Sequence, residues 1–167
     1  MAPYALASFV VSDRSQDAYD AALAVAANPG RVHNPFVLFG PTRSGKTHLL
    51  YAMNEVMCAA GLKVLRSATV EYVERIIDAV RADTMRQLHA SLASVDALLL
   101  DDIWIGDKPA TMRELLIHFD ALLARGAQIV LTTHVAPANF PVLGRWIEER
   151  NGTAMALTAQ PQTRPPR

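Results

Sequence analysis

The 167-residue chain contains a single cysteine, three lysines, no surplus of either charge and few aromatics. One thiol, Cys58, cannot close an internal disulfide, which excludes a cross-linked secreted scaffold and makes a reducing, cytoplasmic setting the expectation. No run of about 18 apolar residues occurs, so no membrane-spanning helix and no membrane partner are expected. Residues 1 to 11 are mildly apolar but carry no basic leader, which argues against a signal peptide. With 16 basic and 16 acidic groups the chain is not a polycation that coats nucleic acid, so any such contact must be local. What is abundant is apolar: 51% of residues are hydrophobic, enough at this length for one domain with a real core and no staples.

The apolar residues are organised. Ala18, Ala22 and Val25 fall at helical spacing behind candidate caps Ser12, Asp13 or Ser15, and Asn28-Pro29-Gly30 ends that helix. Pro35 to Phe39 is a short continuous apolar run, as expected of a strand buried on both faces. A helix with Leu49, Met53, Val56 and Ala60 on one stripe follows and stops at Gly61. A second strand is expected over Leu62 to Leu65. An amphipathic helix is marked by Val70, Val73, Ile76, Ile77 and Val80, with another over Thr84 to Leu92. Val95 to Leu100 is the clearest strand, closed by Asp101-Asp102. Met112 to Leu123 forms a helix, Gln128 to Thr132 a buried strand, and Ala154 to Leu157 a last short one. Strands alternating with helices predict an α/β fold, a parallel sheet of about five strands covered by helices on both faces. One domain over residues 1–160 and a disordered tail over 161–167 are expected.

Gly40-Pro41-Thr42-Arg43-Ser44-Gly45-Lys46-Thr47 matches the full G-x-x-x-x-G-K-[ST] phosphate loop. The glycines let the backbone curl so that several N–H groups face one phosphate, and the helix behind adds its dipole. Lys46 neutralises the outer phosphates, and Thr47 offers its hydroxyl to magnesium. An apolar strand before the loop and an apolar-striped helix after it supply the required context. Asp101 and Asp102 close the most hydrophobic strand, at the sheet end where α/β folds bind ligands. Successive strand residues point to opposite sides, so the pair divides its work. Asp101 is assigned to the magnesium shell, and Asp102 to the terminal phosphate and an attacking water.

These strings, taken together, resemble the ATP-binding AAA+ domain of the bacterial replication initiator family DnaA. The residues that carry the resemblance are Phe9-Val10-Val11, Ala21 to Ala26, Asn28-Pro29-Gly30, Asn34-Pro35, Gly45 to Leu50, Ser94 to Ile103, His118-Phe119 and Gln128 to Thr132. It implies a P-loop NTPase core with ATP or ADP and Mg2+ as cofactors. It places Val10 and Val11 against the adenine and His48 beside the phosphate loop. It puts His134, where such chains usually carry Asp, at the position that senses the terminal phosphate. Arg150, in Glu149-Arg150-Asn151-Gly152, matches the arginine that completes a neighbour's site. It follows the helix after Pro141, expected on the side of the sheet away from residues 40–47. The helical pair before the Asp-Asp strand resembles the part that touches single-stranded DNA, with Ile77 and Lys108 as contact candidates.

The departures shape the expected function. Ser15 replaces an asparagine usual near the adenine segment, and Ala110 stands where a second basic residue is usual beside Lys108. The chain ends without room for a helical lid or a duplex-reading domain, so an isolated or truncated initiator core is expected. Asp102 is one methylene shorter than the glutamate of vigorous ATPases, which favours slow turnover. The expectation is an ATP/Mg switch with weak ATPase activity in DNA replication or its control, self-assembling or docking on a DnaA-type protein. Two alternatives remain: a regulatory module that binds ATP but hydrolyses little, and a small-molecule P-loop kinase. The five histidines show no metal-ligand spacing. Cys58 reads as packing, Trp104 as packing or a subunit contact, and Glu71, Glu74, Arg75, Asp78 and Arg81 as a solvated face.

Overall fold

In the computed structural model residues 15–103 and 109–158 are described. They build five strands and six α-helices in strict alternation, apart from a helical pair after the second strand. The order is α1 (Gln16–Ala27), β1 (Phe36–Phe39), α2 (Lys46–Ala59), β2 (Val64–Ala68), α3 (Thr69–Arg81) and α4 (Met85–Leu92). It continues with β3 (Ala97–Asp101), α5 (Pro109–Leu123), β4 (Gln128–Thr133), α6 (Pro141–Glu149) and β5 (Thr153–Ala156). All pairings are parallel, in the spatial order β2-β3-β4-β1-β5. Parallel neighbours need long crossovers, and the helices supply them.

The continuous apolar runs of β1, β3 and β4 follow from burial on both faces. Phe36, Leu38, Ala97, Leu99 and Val130 pack with Ala22 and Val25 of α1 and Leu49, Leu50 and Met53 of α2. Val37, Leu98, Leu100, Ile129 and Leu131 point the other way, into Tyr72, Met112, Leu115, Phe119, Leu143 and Trp146 of α3, α5 and α6. The two-residue alternation along each strand thus divides one sheet between two cores. Because β3, β4 and β1 are parallel neighbours, their carboxyl ends lie together at one end of the sheet.

The bounds of β2 and β3 shift most from the sequence expectation, and one long-range bond bears on both starts. Gly61, at φ 82°, closes α2, with its N–H on Cys58 O and the Leu62 N–H on Met57 O. The Lys63 N–H then goes to the Asp96 carboxylate at 2.8 Å, so β2 starts at Val64 and runs to Ala68 rather than 62–65. For the same reason β3 starts at Ala97: the Val95 N–H turns back to Leu92 O, and Asp96 is engaged with Lys63. β5 begins one residue earlier than expected, at Thr153. Pro137–Asn139 forms a 3-10 turn leading into α6. Val10, Val11, Trp104, Lys108 and the tail over 161–167 lie outside the described residues.

One core group is ill at ease. Tyr72 of α3 is 1% exposed, and its hydroxyl has no hydrogen-bond partner among the described residues. Burial pushes its pKa up to about 12, opposed by Arg75. A buried hydroxyl without a partner costs about 1–3 kcal/mol. Tyr72→Phe is therefore expected to raise the midpoint of thermal unfolding, by roughly 2–4 °C for each kcal/mol recovered. A comparable fall, followed by circular dichroism, would show that the hydroxyl is satisfied.

Candidate functional site

The loop at 40–45 joins β1 to α2 and is shaped by close approach. A Cβ on Gly40 would lie 1.9 Å from Leu157 O, so this position admits glycine alone. The Gly40 N–H donates to Thr133 O of β4 at 3.1 Å, tying the loop to the sheet. Gly45 precedes α2 at φ 95°, and Arg43 takes φ 64°, a left-handed conformation uncommon for its residue type. Pro41, Thr42, Arg43 and Thr47 are exposed, Ser44 and Lys46 buried, and His48 lies between in the first turn of α2.

Lys46 is folded back into the loop. Its Nζ donates to Gly40 O and Pro41 O, both at 2.8 Å, and to Ser44 Oγ at 3.4 Å. Burial lowers its pKa, while Asp102 and Asp101 pull it back up. A nearly buried ammonium with only neutral acceptors in contact is a charge awaiting an anion. Together with the N-terminus of α2, it suits the loop to phosphate.

The two aspartates go separate ways, as strand geometry requires. The Thr47 hydroxyl reaches the Asp101 carboxylate at 3.0 and 3.2 Å. Thr132 Oγ1 of β4 donates to Asp101 Oδ1 at 2.5 Å, and Thr69 Oγ1 of α3 to Asp101 O at 3.0 Å. At Asp102 the chain leaves the strand with φ 54°, and its N–H donates to Thr132 Oγ1 at 2.8 Å. Its carboxylate meets His134 Nδ1 at 2.9 Å, both side chains well exposed. A hydroxyl and a carboxylate drawn together from two elements form a hard-oxygen set with few protein ligands, as magnesium prefers. The chemistry of Thr47 and Asp101 therefore fits that ion.

Arg150 sits apart from this group, at the end of α6. Its Nε and Nη2 donate to the two Asp120 oxygens at 2.5 and 2.6 Å, a two-pronged pair with α5. Nη1 donates to Trp146 O at 3.2 Å and Glu149 Oε2 at 3.3 Å, and Trp146 Nε1 also donates to Asp120. These bonds, Asp120 first, raise the arginine's already high pKa. Since α5 and α6 pack on the sheet face opposite α2, Arg150 lies on the side away from the phosphate loop. Ile77 lies on α3, 41% exposed, beside a cavity of about 390 Å³ that Val73, Val80 and Leu115 also line.

A phosphate loop and an aspartate pair thus stand on one sheet of strand order β2-β3-β4-β1-β5. The family model for the bacterial DnaA ATPase domain matches residues 2–157. The chain belongs to that family. It is 36% identical over 163 residues to the chromosomal replication initiator protein DnaA of Synechococcus sp., covering 96% of this chain and 34% of that protein. Among solved structures it is similar to AMPPCP-bound DnaA from Aquifex aeolicus, with TM-score 0.84, 25% identity, and coverage of 94% of this chain and 50% of that one. A replication initiator DnaA bound to AMPPCP and single-stranded DNA matches with the same TM-score, identity and coverage. The chain thus spans about a third of the length of the curated relative. The fold is the α/β AAA+ core of DnaA, a parallel five-stranded sheet with helices on both faces.

Within this DnaA-like core, sequence reasoning missed two hydroxyls and one carboxylate. Thr69 and Thr132 read as helix and strand residues, yet each bonds Asp101, while Ser44, already expected in the phosphate loop, accepts from Lys46. Asp120 lies 30 positions from the arginine it holds, a pairing no local pattern reveals. The one signal available for Thr132 was a polar Thr132-Thr133 pair directly after the apolar run Ile129 to Leu131 in a fully buried strand.

Proposed function

We propose that this DnaA-type AAA+ core is an ATP/Mg switch with weak ATPase activity that acts in initiating DNA replication or in its control. The observation that carries this reading is the meeting of Thr47 and Asp101 beside the buried, anion-seeking Lys46. The AMPPCP named with two similar DnaA structures supports the nucleotide. In this reading the loop 40–45 presents N–H groups to the phosphates, with Pro41, Thr42, Arg43 and His48 around them. Lys46 turns from the Gly40 and Pro41 carbonyls to the outer phosphates. Thr47 and Asp101 hold the metal, which supplies a charge that draws electron density from the phosphate oxygens when bound. Asp102 orients the attacking water, His134 holds the Asp102 carboxylate, and Val10 and Val11 cover the adenine.

Arg150 is assigned to a neighbouring subunit's nucleotide, making ATP the link between copies or between this chain and a full-length initiator. A guanidinium is always charged and planar, which suits it to phosphate oxygens. Single-stranded DNA, bound by one similar DnaA structure, is assigned to the α3 face around Ile77 and to Lys108.

The Asp102–His134 contact also favours the second reading, a regulatory module with little hydrolysis. A carboxylate committed to an imidazole at 2.9 Å is less available to a water. Turnover separates the two: steady ATP hydrolysis without any acceptor supports the switch. Binding without turnover, coupled to pull-down of the host initiator, supports the module. Absence of nucleotide binding removes both.

A further inference from the structure

We infer that Thr132 is the positioning residue that sets the metal-holding aspartate, and that it acts by tying Asp101 and Asp102 together from the neighbouring strand. The inference rests on the ATP/Mg reading of the site and deepens it. Thr132 is fully buried, the fifth of the six residues of β4. β4 is the strand between loop-bearing β1 and aspartate-bearing β3, and Thr132 pairs in register with Leu38 of β1.

A threonine hydroxyl has one proton and two lone pairs. Here the proton goes to Asp101 Oδ1 at 2.5 Å, and a lone pair receives the Asp102 N–H at 2.8 Å. Both assignments are forced, because a backbone N–H only donates and an ionised carboxylate only accepts. The hydroxyl is thereby fixed, and so is the carboxylate it holds. The Thr47 hydroxyl lies 3.0 Å from Asp101 Oδ2 and 3.2 Å from Oδ1, and Oδ2 takes no bond from Thr132. The Thr132 carbonyl adds a third tie, accepting the Ile103 N–H at 2.7 Å. The main chain thus turns at Asp102, at φ 54°, while bonded on both sides to one residue of β4.

Residues that orient a metal ligand without touching the metal typically contribute roughly 10–100-fold in metal affinity. Thr132→Val keeps the shape and removes the hydroxyl, freeing the Asp101 carboxylate to rotate. The test titrates a fluorescent ATP analogue onto the full chain, in EDTA and across a magnesium series. For Thr132→Val the magnesium concentration giving half the binding enhancement is expected to rise about tenfold or more. Its affinity in EDTA should stay within about twofold of wild type. Thr132→Ser, which restores the hydroxyl, should return to the wild-type midpoint. If the valine variant does not fold by circular dichroism, Thr132→Ala is read in the same way.

A hydroxyl-free variant with the wild-type magnesium midpoint overturns the inference. So does an equal loss with and without magnesium, which marks a purely structural residue. A wild-type chain that binds no nucleotide, or binds it identically with and without magnesium, removes the parent reading and this one together.

Discussion

Lys46→Ala is expected to weaken ATP binding by about a hundredfold or more. Hydrogen bonds to charged groups contribute about 1.5–3 kcal/mol each, and this ammonium is the loop's one lysine. Each 1.4 kcal/mol is about a tenfold change. The buried setting enlarges the effect, because Lys46 is held where its charge is poorly hydrated and an anion restores what burial removed. Truncation leaves the Gly40 and Pro41 carbonyls without their Lys46 bonds, so the fold must be checked alongside. Calorimetry paired with thermal unfolding separates the outcomes. Lost binding in a folded variant supports the assignment, and wild-type affinity sinks it.

Arg150→Ala is the second large effect, expected on assembly rather than on the monomer's own nucleotide. In the free subunit the guanidinium fork is occupied by Asp120, so engaging a neighbour exchanges one anion for another. The pair is partly exposed, and its loss should cost about 1 kcal/mol of stability or less. ATP affinity of the monomer is expected to stay within about twofold, because the arginine lies across the sheet from the phosphate loop. ATP-dependent sedimentation as a larger species, and residual turnover, should disappear. Arginine fingers in other phosphate-transfer systems contribute roughly 10³ to 10⁵ in rate, and a slow switch should show far less. Mixing Arg150→Ala with Lys46→Ala supplies the sharper test. The Arg150→Ala pocket still binds ATP, and the Lys46→Ala chain still offers its arginine, so part of the turnover should return. A mixture that stays dead where wild type assembles contradicts a role in trans. Full activity in Arg150→Ala alone makes the residue structural, a link between α5 and α6.

What was legible in the sequence was contiguous. The phosphate loop is eight consecutive residues with fixed glycine, lysine and threonine positions, and the structure places it between β1 and α2 as expected. β1, β3 and β4 announced themselves as continuous apolar runs, the mark of strands buried on both faces, too short to be buried helices. Asp101-Asp102 was visible as an abrupt end to such a run. The boundaries at Val64 and Ala97 were not visible, because one long-range bond, from the Lys63 N–H to Asp96, sets the start of both strands. The same holds within the site. Thr132 to Asp101, His134 to Asp102 and Arg150 to Asp120 join residues about 30 positions apart. Such pairs are created by strand order and helix packing, and a linear pattern carries no trace of them. Hydroxyls that orient carboxylates look like ordinary strand threonines until the neighbouring strand is known.

The meeting of phosphate and metal between Lys46, Thr47 and Asp101 is the expected heart of the site. It is tested most directly by calorimetric titration of ATP into the wild-type chain with magnesium and with EDTA, repeated for Asp101→Ala. The expected result is one site per chain, tighter with magnesium in wild type, with that enhancement absent in Asp101→Ala while the EDTA affinity is retained. Equal enhancement by magnesium in both proteins would contradict it.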